Sequence, residues 1–428
     1  MAAKDTATDL LPGSLDHLLS PAGDDDHVDG VPARVVARPA TAEQAAELMR
    51  ACHERGLAVV VRGHGTKLAW GRPPERLDVL LDTTAMDELV EHARGDLIAT
   101  VGAGMPLARL QEQLAEAGHQ VALDDLVAGD DAPGSTVGGA VAANVAGPRR
   151  MWAGTMRDLV IGVRIVRADG TIAKAGGKVV KNVAGYDLSK LVVGSFGTLA
   201  LVTEVTLRLH PVPAASAWVG GTVPQDRLEP VLAELVASQL VPHAVEVRAR
   251  PGVDPAVVAL VSGTPEGAAA RAEAMAAVLS SLGCPATVHD LQPPWWGALL
   301  HPGQRGGTTP PEGSRPLLVK VTSRLGGVAD LVAEATRLGA TLNGSAGTGV
   351  LYLTLPGEDA EGAGAALASL RATTARLGGS AVVLDAPPAT KAGLDSWGPV
   401  PGLDLMRRVK HEFDPGRTLA PGRFVGGL

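Results

Sequence analysis

Two glycine-rich stretches constrain this chain more than any other feature. The first, VRGHGTKLAWG at residues 61–71, follows an apolar run and combines three glycines with Arg62, His64 and Lys67. The second, APGSTVGGAVAANVAG at residues 132–147, alternates Gly134, Gly138, Gly139 and Gly147 with small residues, and adds Ser135, Thr136 and Asn144. Glycine lets backbone approach a ligand closely, and backbone amides with cations make an anion cradle. Neither stretch has the GxxxxGK[ST] spacing of a strand-to-helix phosphate loop. In GAGMPL, Leu107 stands at the third glycine position of a dinucleotide fingerprint, which counts against NAD. Taken singly, the first is equally a tight turn and the second the close packing of a helix start on a sheet. Two such loops in one region point to a long, diphosphate-bearing ligand.

The segments around them read as alternating strands and helices. RVVARPAT is a short strand, and Thr41 with Gln44 opens a helix whose Ala45, Leu48, Met49 and Cys52 share one face, ended by Gly56. LAVVVRG is a buried strand. DLIATVGAG leads into the helix MPLARLQEQLAEAG, with Pro106 near its start and Gly118 at its end. VIGVRIVRADGTIAKA is a hairpin turning at Asp169-Gly170, and LALVTEVTLRLHPV is a further strand. Beyond Pro213 the texture changes to Ala/Gly-rich helices and isolated strands such as PLLVKVTSRL and GVLYLTLP. The expected organisation is a flexible N-terminus at 1–30, a first domain at 31–213, a second α+β domain at 214–395, and a tail at 396–428. No repeat of 20–50 residues is visible.

A chain of 428 residues with a net charge of -8 is too long for one ordinary core and too acidic for a nucleic-acid partner. Cys52 and Cys284 make no CxxC pair, and no stretch approaches the ~20 apolar residues of a membrane span. The chain is expected to be cytoplasmic, attached to the inner face of the membrane at most peripherally and through a partner.

A third piece, GGKVVKNVAGYDLSKLVVGSFGTLALVTEVTLRL at 176–209, identifies a family. Together with VRGHGTKL, GSTVGGAVAANVAGPRR and GTMRDLVIGVRIVRADG it resembles the FAD-binding domain of the vanillyl-alcohol-oxidase/p-cresol-methylhydroxylase (PCMH) superfamily. Within it the likeness is greatest to the E subunits of glycolate oxidase. The tail FDPGRTLAPGRF fits the same family's C-terminal signature, whereas residues 214–395 match mainly through LDAPPATKAGLDSWG. The implied fold is α+β: a two-subdomain PCMH-type FAD-binding domain, an α+β cap, and a C-terminal return to the FAD domain.

The resemblance also implies roles for residues. Arg62, Gly63, His64, Gly65, Thr66 and Lys67 would wrap the FAD pyrophosphate with backbone amides. Gly134, Ser135, Val137, Gly138, Gly139 and Asn144 would line the flavin and its ribityl chain. Val202 would hold the adenine or flavin edge through its backbone, and Tyr186 and Asp187 would support the cofactor floor. Thr66 stands where covalent members carry the flavin-linked histidine, so FAD is expected to be non-covalent. His64, Phe196, Ala153 and Ala420 replace residues usual in the family, namely glycine, glutamate, tyrosine and asparagine.

The implied chemistry is oxidation of a 2-hydroxy acid. Electrons would leave through an iron–sulfur subunit, beside a homologous catalytic flavoprotein subunit. No metal site and no catalytic base stand out. Lys178, Lys181 and Tyr186 are the local candidates for a substrate carboxylate, with a structural or FAD-phosphate role equally open, and Trp295-Trp296 reads as a packed loop or subunit contact rather than a substrate mouth. Two other readings stay open: a stand-alone FAD-linked dehydrogenase of another hydroxy acid or alcohol, and a non-catalytic assembly subunit.

Overall fold

The computed structural model describes residues 10–127, 134–177, 186–299, 316–355 and 360–428. Strands β1 (Leu19–Pro21), β2 (Val35–Ala37), β3 (Val59–Arg62) and β4 (Val79–Asp82) form a first sheet in the order β1-β2-β4-β3. The pairings of β4 with β2 and with β3 are parallel. Parallel strands need a crossover, and α1 (Ala42–Glu54) supplies it between β2 and β3. Thr41 accepts from the Gln44 amide at 3.2 Å, and the Gln44 side chain returns to the Ala40 amide at 2.8 Å. Ala45, Leu48, Met49 and Cys52 lie fully buried in the core that α1 shares with this sheet.

A second, antiparallel sheet joins β5 (Leu89–Ala93), β6 (Ile98–Gly102), β7 (Val160–Val166), β8 (Ile172–Gly176) and β9 (Leu201–Arg208) in the order β8-β7-β9-β6-β5. The β7–β8 hairpin turns through Gly170 at φ +80°. Along β9 every second residue is buried, the half-buried-strand alternation. That apolar side packs with α2 (Leu107–Ala115) and α3 (Val137–Ala143).

The cap repeats one topology twice. Strands β10 (Ala215–Thr222), β11 (Ala244–Arg250), β12 (Val253–Gly263) and β13 (Thr287–His289) enclose α5 (Leu228–Ala237) and α6 (Pro265–Ser281); α4 (Arg150–Ala153) precedes them in the chain. Strands β14 (Leu317–Thr322), β15 (Thr341–Ser345), β16 (Val350–Leu355) and β17 (Ala381–Asp385) enclose α7 (Val328–Arg337) and α8 (Ala360–Arg376). Each half is a β-α-β-β-α-β unit, and β11 pairs with β15 to join the halves. The result, among the described residues, is one eight-stranded sheet in the order β13-β10-β12-β11-β15-β16-β14-β17.

Its two faces differ. Val319, Val321, Leu342, Leu351, Leu353 and Val383 enter the large core with the cap helices. On the other face Leu318, Val350, Tyr352 and Leu384 pack with Trp70, Leu126 and Val145 of the preceding region. Trp296 is buried against Trp218 in a packed loop.

The chain then returns to the first sheet. In α9 (Leu403–Phe413), Lys410 Nζ pairs with Asp414 at 2.6 Å and donates to the carbonyls of Thr198 and Leu419. Leu419 forms a bridge with Val59 of β3. Asp414 also accepts from the amides of Thr418 and Leu419, which explains the Asp-Pro-Gly-Arg-Thr-Leu spelling of the tail.

Candidate functional site: a groove continuous with a cap cleft

The loop after β3 and the start of α3 face each other and are stitched together. His64 Nδ1 lies 3.1 Å from the Gly134 carbonyl, and Lys67 Nζ donates to Ser135 Oγ. Ser135 in turn donates through its hydroxyl and its amide to the Asp125 carboxylate. Burial pushes the Lys67 amine down to about 8, against the pull of Asp125. Thr136 caps α3 by accepting from the Gly139 amide.

Between these loops runs a groove. One stretch, about 540 Å³, is lined by Arg62 to Leu68 with Thr136, Gly139, Ala142, Ala143, Phe196 and Arg423. A second stretch, about 490 Å³, is lined by Thr83, Ala103, Gly138, Ser195, Gly197, Ala200 and Val202. Val61, Gly63, Gly139, Ala142 and Phe196 belong to both, so the two are parts of one groove.

The wall chemistry fits a dinucleotide carrying a diphosphate. Among the described residues, the amides of His64, Gly65 and Lys67 donate to no backbone carbonyl, which leaves a row of donors beside a lysine. The opposite wall is glycine and alanine, which admits a flat ring system. Gly63 is obligatory for packing: a Cβ there would lie 2.2 Å from Thr136 Oγ1. Gly138 is tight for a related reason, since its Cβ would meet Ala103 at 2.8 Å.

The expected residues distribute unevenly. Gly63, His64, Gly65, Thr66, Lys67, Gly138, Gly139 and Val202 line the groove. Arg62 lines it too, but its guanidinium is held by Asp26 at 2.8 Å and Asp82 at 3.2 Å, so its charge is already compensated. Gly134, at φ +64°, and Ser135 shape the wall through hydrogen bonds. Val137 is fully buried in the core with α2 and β9, its amide bound to Met105. Asn144 lies on the cap side. Tyr186 is 96% exposed and stands apart from the groove, because Asp187 is engaged locally with the amide and hydroxyl of Ser189. Lys178 and Lys181 fall outside the described residues.

Sequence reading missed Arg423. It is buried, its guanidinium donates to the carbonyls of Leu68 and Trp70, and burial pushes its pKa down to about 10 against the charge of Asp29. It fixes the far end of the 61–71 loop from a residue in the tail. The signal was the arginine in APGRF, whose partners lie some three hundred and fifty residues away.

Phe196, at φ +56°, also lines a third space of about 570 Å³ with Asn144, Lys320, Thr322, Tyr352, Ser380 and Trp397. This cleft lies between the groove and the face of the cap sheet turned away from its helices. Lys320, Tyr352 and Asn343 are register partners across β14, β16 and β15, so their side chains share that face. Arg150 borders the adjoining space with Glu246 and Tyr352. Burial and the Arg150 charge push the Lys320 amine down to about 8. Burial, reinforced by Asp124, holds the Glu246 carboxyl well above the usual carboxylate range. Among the described residues, no group of three or more His, Cys, Asp or Glu stands together as a metal site, and no helix is long and apolar enough to cross a membrane.

A family model described as an FAD binding domain matches residues 33–176. Glycolate oxidase subunit GlcE of Escherichia coli is 36% identical over 184 residues, 43% of this chain and 50% of that protein. D-lactate dehydrogenase of Archaeoglobus fulgidus is 38% identical over 177 residues, 41% of this chain and 39% of that protein. The chain thus spans half or less of the length of these two relatives. An FAD-linked oxidoreductase of Mycobacterium tuberculosis is 28% identical across 94% of this chain and 93% of its own length. Among solved structures, alkyldihydroxyacetonephosphate synthase superposes with a TM-score of 0.67 at 17% identity, covering 91% of this chain and 76% of that one, which is a likeness of fold.

Proposed function

Residues 33–176 belong to the FAD-binding domains of the vanillyl-alcohol-oxidase/p-cresol-methylhydroxylase superfamily, and from that premise we propose that the chain is an FAD-linked oxidoreductase that oxidises a small 2-hydroxy acid as one subunit of a glycolate-oxidase-type complex. The observation that supports this reading is the continuity of the two spaces. Ala143 and Phe196 line both the groove and the cap cleft, so a small molecule in the cleft would abut whatever fills the groove.

Bound FAD would supply the two-electron acceptor. The chain's own contribution is placement. His64, Gly65 and Lys67 present amides and charge to the diphosphate, and Gly138, Gly139 and Val202 line the stretch that would hold the rings. Phe196 and Trp397, with ring centroids 5.4 Å apart, form an apolar wall that limits water at the junction. Cys52 and Cys284 are buried in separate cores, which leaves any iron–sulfur relay to a partner subunit.

Anaerobic reduction of the purified flavoprotein tests the activity. Glycolate or D-lactate should bleach the flavin absorbance, alone or with co-expressed partner subunits, and co-purification with a cysteine-rich subunit should accompany turnover. Flavin that stays oxidised with every 2-hydroxy acid, in the isolated chain and in the assembled complex, would overturn the reading.

A further inference from the structure

Two cations flank Tyr352, Lys320 in the cap cleft and Arg150 in the space adjoining it. Lys320 projects from β14 toward Thr322, Ser380 and Phe196, and Arg150 stands at the start of α4 behind Tyr352. Among the described residues neither side chain has a hydrogen bond or an ion pair, although Arg34, Arg62, Arg149, Arg164 and Arg371 all have one. A half-buried ammonium without a counter-ion is costly, and two within electrostatic reach of each other are more so. Glu246, which lines the same space as Arg150, is held toward its neutral form by burial. The surrounding hydroxyls of Thr322, Ser380 and Tyr352 offer further donors.

Resting on the oxidoreductase reading above, we propose that Arg150 and Lys320, brought together from two different sheets' surroundings, clamp the carboxylate of the substrate and select an acid over the corresponding neutral alcohol. The arrangement follows from strand alternation. In LLVKVT the residues Val319 and Val321 face the cap helices, so Leu318, Lys320 and Thr322 face the cleft. Tyr352 is directly across from Lys320 in β16, and it lines both the Lys320 cleft and the Arg150 space. One carboxylate near this ring would meet a donor from each side. The proximity of Arg150 also disfavours a second positive charge at Lys320 until an anion arrives, which couples the two residues to ligand entry.

The test is calorimetric titration of the FAD-loaded chain with oxalate, glycolate and ethylene glycol, with flavin content and melting temperature measured in parallel. Wild-type protein should bind oxalate and glycolate and show no heat with ethylene glycol. Lys320→Gln and Arg150→Gln should each weaken oxalate by about tenfold or more, the loss of one charge-assisted hydrogen bond. Lys320→Arg should restore most of it. Oxalate binding unchanged in both Gln variants, at wild-type flavin content and melting temperature, would overturn the clamp. So would binding of ethylene glycol as tight as that of glycolate. A chain that binds oxalate in a Lys320-dependent way but retains no flavin would sink the oxidoreductase reading and leave the clamp standing.

Discussion

Lys391 Nζ lies 2.7 Å from Asp29 Oδ2 and 3.2 Å from Asp385 Oδ1, and all three side chains are sealed from solvent. The same ammonium donates to the Ala69 carbonyl in the first glycine loop. One side chain in the short helix Pro388–Ala392 therefore joins the N-terminal segment, the groove loop and the last cap strand. Lys391→Met would remove the ammonium that Asp29 and Asp385 share, and breaking such a buried pair costs about 3–5 kcal/mol. The unfolding free energy from urea titration should fall by that amount, with a lower midpoint. An unchanged midpoint would mean that the bridge does not hold the cap to the groove loop.

Gly63→Ala should empty the groove by distorting it. The new Cβ would lie 2.2 Å from Thr136 Oγ1, on the residue that caps α3. Flavin per polypeptide should fall severalfold in the purified variant. Adding Thr136→Ala, which removes the clashing atom, should return part of it. Equal flavin in wild type and Gly63→Ala would refute the fit.

Asp414→Ala removes the partner of Lys410 and the acceptor for the amides of Thr418 and Leu419. Since Leu419 bridges Val59, the loss should spread into β3. Hydrogen exchange should show protection falling over residues 59–71 as well as in the tail. Faster exchange confined to 414–428 would limit Asp414 to a local role.

The carboxylate clamp has a pH signature. Lys320 titrates at about 8, lowered by burial and then by Arg150, so it is cationic below that pH and neutral above it. Oxalate affinity should be level below about pH 8 and weaken above it, levelling off at the affinity of Lys320→Gln. The titratable or charged groups around it are Arg150, Tyr352 and Glu246; Tyr352 is pushed up by burial, and Glu246 more strongly. Lys67 also titrates near 8, in the groove. Lys320→Gln should flatten the profile, and a profile that persists in that variant would assign the titration elsewhere.

Thr66 gives no nucleophile for a histidyl-flavin bond. Acid precipitation should therefore leave the flavin in the supernatant. Fluorescence that stays with the denatured polypeptide would contradict this.

The cofactor groove was legible in the sequence because its ingredients are local. A glycine at Gly63 or Gly138 is required by what its missing Cβ would strike, and such a requirement is written at a single position. The cap cleft was not legible in that way. Lys320 sits in an ordinary apolar strand, and a lysine there reads as a solvated residue until the cleft it shares with Phe196, Tyr352 and Trp397 is known. Arg423 and Lys391 were visible only as members of tail motifs, with their partners far away in the chain.

The sequence by itself thus determined the FAD-binding domain, because amide donors, small side chains and strand–helix periodicity are properties of short segments. Tertiary structure decided which charges are compensated. Arg62, expected at the pyrophosphate, is held by Asp26 and Asp82, whereas Arg150 and Lys320 stand beside Tyr352 with no ion pair among the described residues. Charge compensation is settled by through-space distance and burial, and those are fixed only when the two halves of the cap close over the groove.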